Sequence, residues 1–466
     1  MIGPAAEPPH GEPYRWRWQV LALVLAAEAM DILDTTTVNV IGPSVQRSLG
    51  GATGLVQWIA AAYTLSFAVL LVTGARLGDR YGRRRMFLLG AAAFTAASVA
   101  CALAPSPVFL VALRALQGAS AALLLPQGLG LVYRAFSGDE LGKALGFYAP
   151  VLSVAAVAGP LLAGGLIAWD AFGLGWRLTF LVNLPVGLVT MAFASRFLPH
   201  DVEGVPRALD LRGVLLLGLA MLLVVYPLID LGSARAIWPA LPSLALGLGL
   251  LALFVRSERQ SPHPLLARVL MQRRTFLRGL LSAVLYFAAA AGIMLVISLY
   301  AQHHLGYSAL GAGLILAPAA LGNVLGALIS QYVQRRKGPG LAMQTHLALA
   351  MAGLAAVGAI GLRQPAGPFY LPAAALVVGT GLGGVIAPLF AATLAGMAEG
   401  EEGSAAGALG AAQQLGAALG VASVASVYAV LAAAVSAWAL GVAALACVVL
   451  LAGCWGVGRT WPMATR

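Results

Sequence analysis

The sequence predicts an all-α protein that crosses a membrane about fourteen times. Of its 466 residues, 60% are hydrophobic and only 10% are charged. Apolar runs near the ~20 residues that a spanning helix needs follow one another along the whole chain. The mean hydropathy is +0.89, far too apolar for a water-soluble chain of this length. Gly 56 and Pro 25 would be heavy for soluble helices, but lipid tolerates them where backbones pack closely or unwind locally.

Taken in order, the spans centre near Ala27, Leu65, Thr95, Ala119, Val157, Thr190, Leu222, Leu248, Ala288, Leu321, Ala352, Val378, Leu419 and Leu445. An even number puts both ends on one side. Met1 to Pro13 is polar and Pro-rich, with no cleavable-signal pattern, and is expected to be a disordered tail. The formal charge is +11, and its distribution excludes a nucleic-acid reading. Arg47, Arg177, Arg235 and Arg363 fall in loops on one side and Arg114 within a span; every other Lys and Arg falls on the opposite side. That asymmetry makes both termini cytoplasmic. The stretch from Arg256 to Arg278 carries six arginines with Pro262 and Pro264, and reads as a juxtamembrane connector. The acidic residues Glu399 to Glu402 sit in a cytoplasmic loop without affecting orientation.

An internal repeat follows the second and tenth spans. Gly74 to Arg85 aligns without gaps on Gly326 to Lys337, each opening Gly-Ala and closing on a basic triplet. Equivalent positions in two six-span halves indicate duplication, the construction of one large class of carriers.

Polar groups inside the spans are the candidate machinery. Glu28, Asp31 and Asp34 lie three residues apart in the first span, spiralling over about 120° of one helix side and about 9 Å of depth. Three carboxylates cannot face lipid, so they face a wet cavity or a partner. Low dielectric and neighbouring like charge favour the protonated form of a carboxyl. A carboxylate that holds a proton and a cation by turns couples two fluxes. Arg114 needs a partner inside the membrane, either a first-span acid or backbone carbonyls. Its guanidinium stays charged, so its role is electrostatic.

Gly78 and Gly82 permit a tight turn around Asp79, Arg80 and Arg83. Asp79 and Arg83 are expected to latch one bundle to the other, and Arg84 and Arg85 to mark orientation. Gln331 replaces the acid in the second copy, so the latch is expected to be stronger in the first half. Gly159 and Pro160 interrupt the fifth span as a hinge, with Gly164 and Gly165 extending a smooth face. Trp58, Tyr63, Gln117, Gln127, Asn323, His346, Gln413 and Gln414 are further cavity candidates. Cys101, Cys447 and Cys454 show neither metal-ligand spacing nor a disulfide framework, and read as packing residues.

Five segments in order resemble a known family. They are Leu33 to Val40, Gly74 to Arg85, Arg114 to Gly118, Gly159-Pro160 with Gly164-Gly165, and Trp176 to Pro185. Together they resemble the major facilitator superfamily, and within it the fourteen-span drug:proton antiporters. His303 to Pro318 and Gly403 to Gly420 echo the family more weakly.

The resemblance implies the major facilitator fold, two six-helix bundles plus a two-helix insertion. Its expected division is a cytoplasmic tail at 1–13, an N-terminal bundle at 14–198, the insertion at 199–260, a C-terminal bundle at 261–458 and a second tail at 459–466. It puts Asp34 on the family's first-span motif, gives Arg114 a part in proton transfer, and ties the Gly159-Pro160 segment to exporters. Glu28 and Asp31 lie outside the motif and serve as a second proton site or recognise a cationic group.

The expected function is proton-coupled export of bulky apolar drugs or antibiotics by alternating access across the cytoplasmic membrane, with the first-span acids favouring cationic cargo. The partners are then a small-molecule substrate, protons and lipid. The chain is expected to act as a monomer, with no cofactor, metal or nucleic acid and the proton gradient as energy source. A dedicated exporter of one self-made metabolite, or a lipid carrier, fits the same residues. A membrane-embedded enzyme or sensor is remote, because no Walker loop, HExxH motif or nucleophile–base pair is present.

Overall fold

The computed structural model describes residues 14–51, 54–201, 209–230, 237–261, 264–265, 268–362, 369–395, 397, 402–434 and 436–458. Both expected tails, most of the acidic loop, Arg235 and Arg363 lie outside these residues.

The described chain is helical throughout, as the apolar runs predict. Its helices are α1 (Arg17–Leu49), α2 (Leu55–Tyr81), α3 (Arg83–Ala102), α4 (Pro107–Ala135), α5 (Gly138–Gly146), α6 (Tyr148–Trp169), α7 (Arg177–Leu181), α8 (Asn183–Phe197) and α9 (Leu211–Asp230). There follow α10 (Ile237–Gln260), α11 (Arg268–Gln272), α12 (Arg274–Leu299), α13 (Ala309–Lys337), α14 (Pro339–Leu362), α15 (Tyr370–Leu394), α16 (Glu402–Ala434) and α17 (Ser436–Gly458).

Among the described residues, 13 helical stretches are long and apolar enough to cross a membrane. Three of them join neighbouring pieces: α6 with most of α5, α7 with α8, and α12 with the turn at Tyr300–His304 that follows it. The first helix is not among the 13, although it runs for 33 residues. Glu28, Asp31 and Asp34, followed by Thr35, Thr36 and Thr37, dilute its apolar run. The least apolar spanning helix is therefore the one that carries the acids.

Within residues 17–197, α4 packs on α2 and α3, while α1 packs on α6, α4 and α8. Within residues 274–458, α15 packs on α13 and α14, and α12 packs on α16 and α17. The two sets meet where α2 lies along α16, α6 along α13 and α1 against α12. Helices α9 and α10 pack on each other, and α9 rests on α2 and α16.

The repeat seen in the sequence has a packing counterpart. A Cβ at Gly74 would fall on the carbonyl oxygen of Ala122 in α4, and one at Gly326 would fall on the carbonyl oxygen of Thr380 in α15. Both copies thus use the repeat's first glycine to bring a helix against the backbone of the helix two spans on, the small-residue contact that substitutes for hydrophobic drive in lipid.

The end of α12 departs from α geometry. Tyr300–His304 forms a π turn, closed by the Leu305 amide donating to the Tyr300 carbonyl at 3.1 Å. From this turn Gln302 Nε2 donates to the Val40 carbonyl of α1 at 3.0 Å and to Ser298 Oγ at 3.1 Å.

Candidate functional site

The first-span acids converge with α2, α4 and α8. Asp34 is 4% exposed and Arg114 only 1%. An Nη1 of Arg114 donates to Asp34 Oδ2, forming a buried ion pair between α1 and α4. The same nitrogen donates to Gln117 Oε1 at 2.7 Å, and Arg114 Nε donates to the Ile59 carbonyl at 3.2 Å. The other Asp34 oxygen accepts from Gln117 Nε2 at 2.9 Å and Asn183 Nδ2 at 3.2 Å. Asn183 is itself anchored to Ser98 Oγ at 2.9 Å, and that hydroxyl donates to the Phe180 carbonyl at 2.9 Å. Asp34 thus meets only donors, an arrangement matched to an ionised carboxylate.

A buried pair survives desolvation only when its remaining hydrogen-bonding capacity is filled. Here the filling comes from three helices besides α1. Arg114 sits one turn from Gln117 on α4, so one helix face delivers both. Gly118 is what brings that face close: a Cβ there would fall on the Tyr63 carbonyl of α2.

Tyr63 joins the two deeper acids. Its hydroxyl donates to Asp31 Oδ1, while the Arg114 guanidinium carbon lies 4.4 Å from its ring centroid. Asp31, Tyr63, Arg114 and Asp34 form one continuous chain of contacts, with the Phe180 ring 5.7 Å from the same guanidinium. Asp31 is 7% exposed, and its Oδ2 makes no hydrogen bond among the described residues. Glu28 keeps part of its surface accessible, makes no hydrogen bond among the described residues and lies within electrostatic reach of Tyr148. The acids therefore differ in kind: Asp34 saturated, Asp31 half-bonded, Glu28 unbonded. Among the described residues, no three His, Cys, Asp or Glu side chains gather as a metal site would require.

The Major Facilitator Superfamily sequence profile matches residues 24–421. The chain belongs to the major facilitator superfamily. This superfamily member is a multi-pass membrane transporter for small-molecule substrates. It is 40% identical over 429 residues to the "Probable actinorhodin transporter" of Streptomyces coelicolor, covering 90% of this chain and 73% of that one. It is 36% identical over 413 residues to the "Puromycin resistance protein pur8" of Streptomyces alboniger, covering 87% and 80%. It is 32% identical over 412 residues to the "Drug efflux pump JefA" of Mycobacterium tuberculosis, covering 88% and 79%. The peptide transporter POT in complex with sulfate shares its fold at a TM-score of 0.68 and 16% identity, covering 97% of this chain and 96% of that one. A bacterial Spinster homologue does so at 0.67 and 15%, covering 96% and 98%.

Several other sequence-predicted residues of the transporter lie away from this centre. Gln127 does not line a cavity: its Nε2 donates to the Gly74 carbonyl at 2.8 Å, and its amide fills the space that Gly78 leaves open. Trp58 is half-buried against Tyr226 of α9, ring centroids 6.2 Å apart, and packs on Val225, Ile229 and Ala422. His346 is 4% exposed, with Nδ1 2.8 Å from the Ala342 carbonyl of its own helix and its ring against Gly384. It is a packed side chain. Asn323 on α13, and Gln413 and Gln414 on α16, are half-buried.

The expected latch is also placed differently. Arg83 Nη2 donates to Asp79 Oδ1 at 2.9 Å, one turn on, and the Arg83 side chain lies against Gly130 of α4. The Arg80 guanidinium stacks over Tyr81 at 5.1 Å. Gly82 has φ +98°, which a side chain resists, and Asp201 occupies the place its Cβ would take. Among the described residues these contacts of Arg80, Gly82 and Arg83 stay within the first half. Among the described residues, Arg76 of this segment also reaches toward the second half, its Nη2 donating to the Pro264 carbonyl. Of the hinge residues, Gly159 lets Thr36 approach, Gly164 lets α13 approach at Leu310, and Gly165 faces open space, so it adds no packing face. Helix α6 stays continuous through Pro160.

Two functional contributors escaped the sequence reading. Asn183 was visible, as an amide inside an apolar run and inside the Trp176 to Pro185 segment. Asp201 was not: its Oδ1 and Oδ2 accept from the Arg84 and Arg85 amides at 2.8 Å and 3.1 Å, capping α3 from far along the chain. Asp201→Ala is expected to cost about 0.5–2 kcal/mol, the range for losing a helix cap. Thermal unfolding of the purified protein checks this, with Asp201→Asn expected to retain most of the cap.

Proposed function

We propose that this transporter exports bulky, largely apolar and positively charged drugs or antibiotics in exchange for protons, by alternating access across the cytoplasmic membrane. Both termini face the cytoplasm in this reading, the chain acts as a monomer, and the proton gradient is its energy source without a cofactor. Two six-helix bundles carry the rocking motion around the insertion α9–α10.

The observation that supports it most is the buried Asp34–Arg114 pair bridged to Asp31 through Tyr63. A proton arriving on Asp34 removes the counter-charge of a guanidinium that cannot release its own proton. Arg114 then keeps Gln117, Ile59 and the Tyr63 face, and its field shifts toward Asp31. Occupation by a proton at one acid and a cation at another become mutually dependent, which is what an exchanger needs. Each proton moving down 100 mV supplies about 2.3 kcal/mol before any pH gradient. The names of the relatives, an efflux pump among them, support export as the direction.

Asp34→Asn is expected to reduce uncoupler-sensitive drug uptake into everted vesicles to background at matched membrane yield, and to lower the unfolding temperature because Arg114 loses its counter-charge. Wild-type export by that variant, for every compound tried, would remove Asp34 from the coupling role. A second reading, a dedicated exporter of one compound, is favoured by relatives named for actinorhodin and puromycin. A resistance panel across unrelated compounds separates the two: protection against one chemical class only supports the dedicated exporter.

A further inference from the structure

A groove of about 710 Å³ runs along one side of α10, where Leu251 is half-buried against side chains of α2, α9 and α16. Leu248, Leu251, Ala252 and Val255 line its length, and Arg256 and Arg259 stand at its end. These positions recur at three and four residues, so they form one stripe of the helix. From Leu248 to Arg259 the stripe spans roughly 17 Å at 1.5 Å per residue. That is slightly more than half of a hydrocarbon core about 30 Å thick. The length of the stripe therefore matches one leaflet, with two guanidiniums at one end of it.

The charges at the mouth have no protein partner among the described residues. Arg17 holds Glu140 at 2.6 Å, Arg83 holds Asp79 at 2.9 Å, and Arg84 donates to the Ser195 carbonyl. Arg256 and Arg259 are exposed, one turn apart on the same face, and make neither an ion pair nor a hydrogen bond with those residues. Two like charges that close together are stabilised by an anion between them. A guanidinium pair matches the oxygen geometry of a phosphate, and the stripe below matches an acyl chain.

We propose that this flank of the two-helix insertion is a binding site for an anionic phospholipid, its phosphate held by Arg256 and Arg259 and one acyl chain lying along Leu248 to Val255. The anionic lipid of the leaflet at the basic end of the helices is the occupant, because the charge complementarity and the groove length both require a headgroup and a chain on one molecule. This site is independent of the cargo and of the coupling acids.

Native mass spectrometry of the purified transporter, with phosphatidylglycerol or phosphatidylcholine added to the micelles, tests the assignment. The wild type is expected to retain phosphatidylglycerol about 30-fold more tightly than Arg256→Gln/Arg259→Gln, equivalent to about 1 kcal/mol per arginine at 1.4 kcal/mol per tenfold. Arg256→Lys/Arg259→Lys is expected to stay within a few-fold of wild type, and Ala252→Trp, which fills the groove and leaves the charges, to lose retention. Phosphatidylcholine is expected to bind weakly and equally to all four proteins. Equal retention of phosphatidylglycerol by the wild type and the double glutamine variant overturns the proposal. So does loss with Ala252→Trp but not with the double glutamine variant, which would make the groove an unselective apolar seat. A change in oligomeric mass in place of lipid retention also overturns it, and would make the groove a contact between copies of the chain.

Discussion

Arg114→Ala is expected to abolish transport and to destabilise the protein by about 3–5 kcal/mol, the cost of leaving one member of a buried ion pair without its counter-charge. Asp34 would keep Gln117 and Asn183 as donors, but its charge would have no cation beside it in the bundle interior. The double variant Asp34→Ala/Arg114→Ala is expected to regain much of that stability, because removing both charges removes the orphan with them. It is not expected to regain transport. Arg114→Lys separates the two requirements. A lysine carries the charge but cannot reach Asp34, Gln117 and the Ile59 carbonyl together while keeping a flat cation on Tyr63. That variant is expected to fold near wild type and to lose most proton-driven efflux. Thermal unfolding in detergent and uptake into everted vesicles, run on these variants together with Asp34→Ala, complete a double-mutant cycle. An Arg114→Ala protein that melts with the wild type would mean that the pair contributes nothing to the fold.

Gly74→Val and Gly326→Val are expected to be comparably severe. Each would drive a branched side chain into a backbone carbonyl, of Ala122 in one half and Thr380 in the other. Backbone on a packed helix cannot yield as a flexible side chain can, so the helices must part. The expected loss is about 3 kcal/mol, at the upper end for overpacking, read as lowered membrane yield and unfolding temperature. Gly165→Val is the control, since nothing stands where its side chain would go. A Gly326→Val protein as stable as that control would show that the second copy of the repeat no longer serves its packing role.

What the sequence disclosed follows from what lipid demands. Apolar length gave the helices, and the cost of charge in hydrocarbon singled out Asp34 and Arg114 before their contact was known. The spacing of Glu28, Asp31 and Asp34 showed a shared helix side, but not that Tyr63 would claim one acid and leave another unbonded. Side-chain partners across helices were harder to read. A spanning helix is apolar nearly all round, so the pattern does not say which face meets protein. Trp58 and His346 consequently read as cavity candidates, although one packs on α9 and the other against Gly384 of α15. Gln127 looked like a binding amide and is a tie to α2. The Asp79–Arg83 motif was recognisable, but the half it would bind was not, because Gly82 turns Arg83 back toward its own bundle. Asp201 had no local signal, since the amides it caps belong to a helix begun more than a hundred residues earlier.

The π turn at Tyr300–His304 holds one residue more than an α turn would. If that surplus residue were given up to ordinary winding, the last residues of the turn would rotate by about 100° and move about 1.5 Å along the axis. Gln302 would swing off Val40, and the seam between α1 and α12 would lose its hydrogen-bonded stitch. The hydrogen bond that ties the end of α12 to α1 thus depends on how five residues are wound.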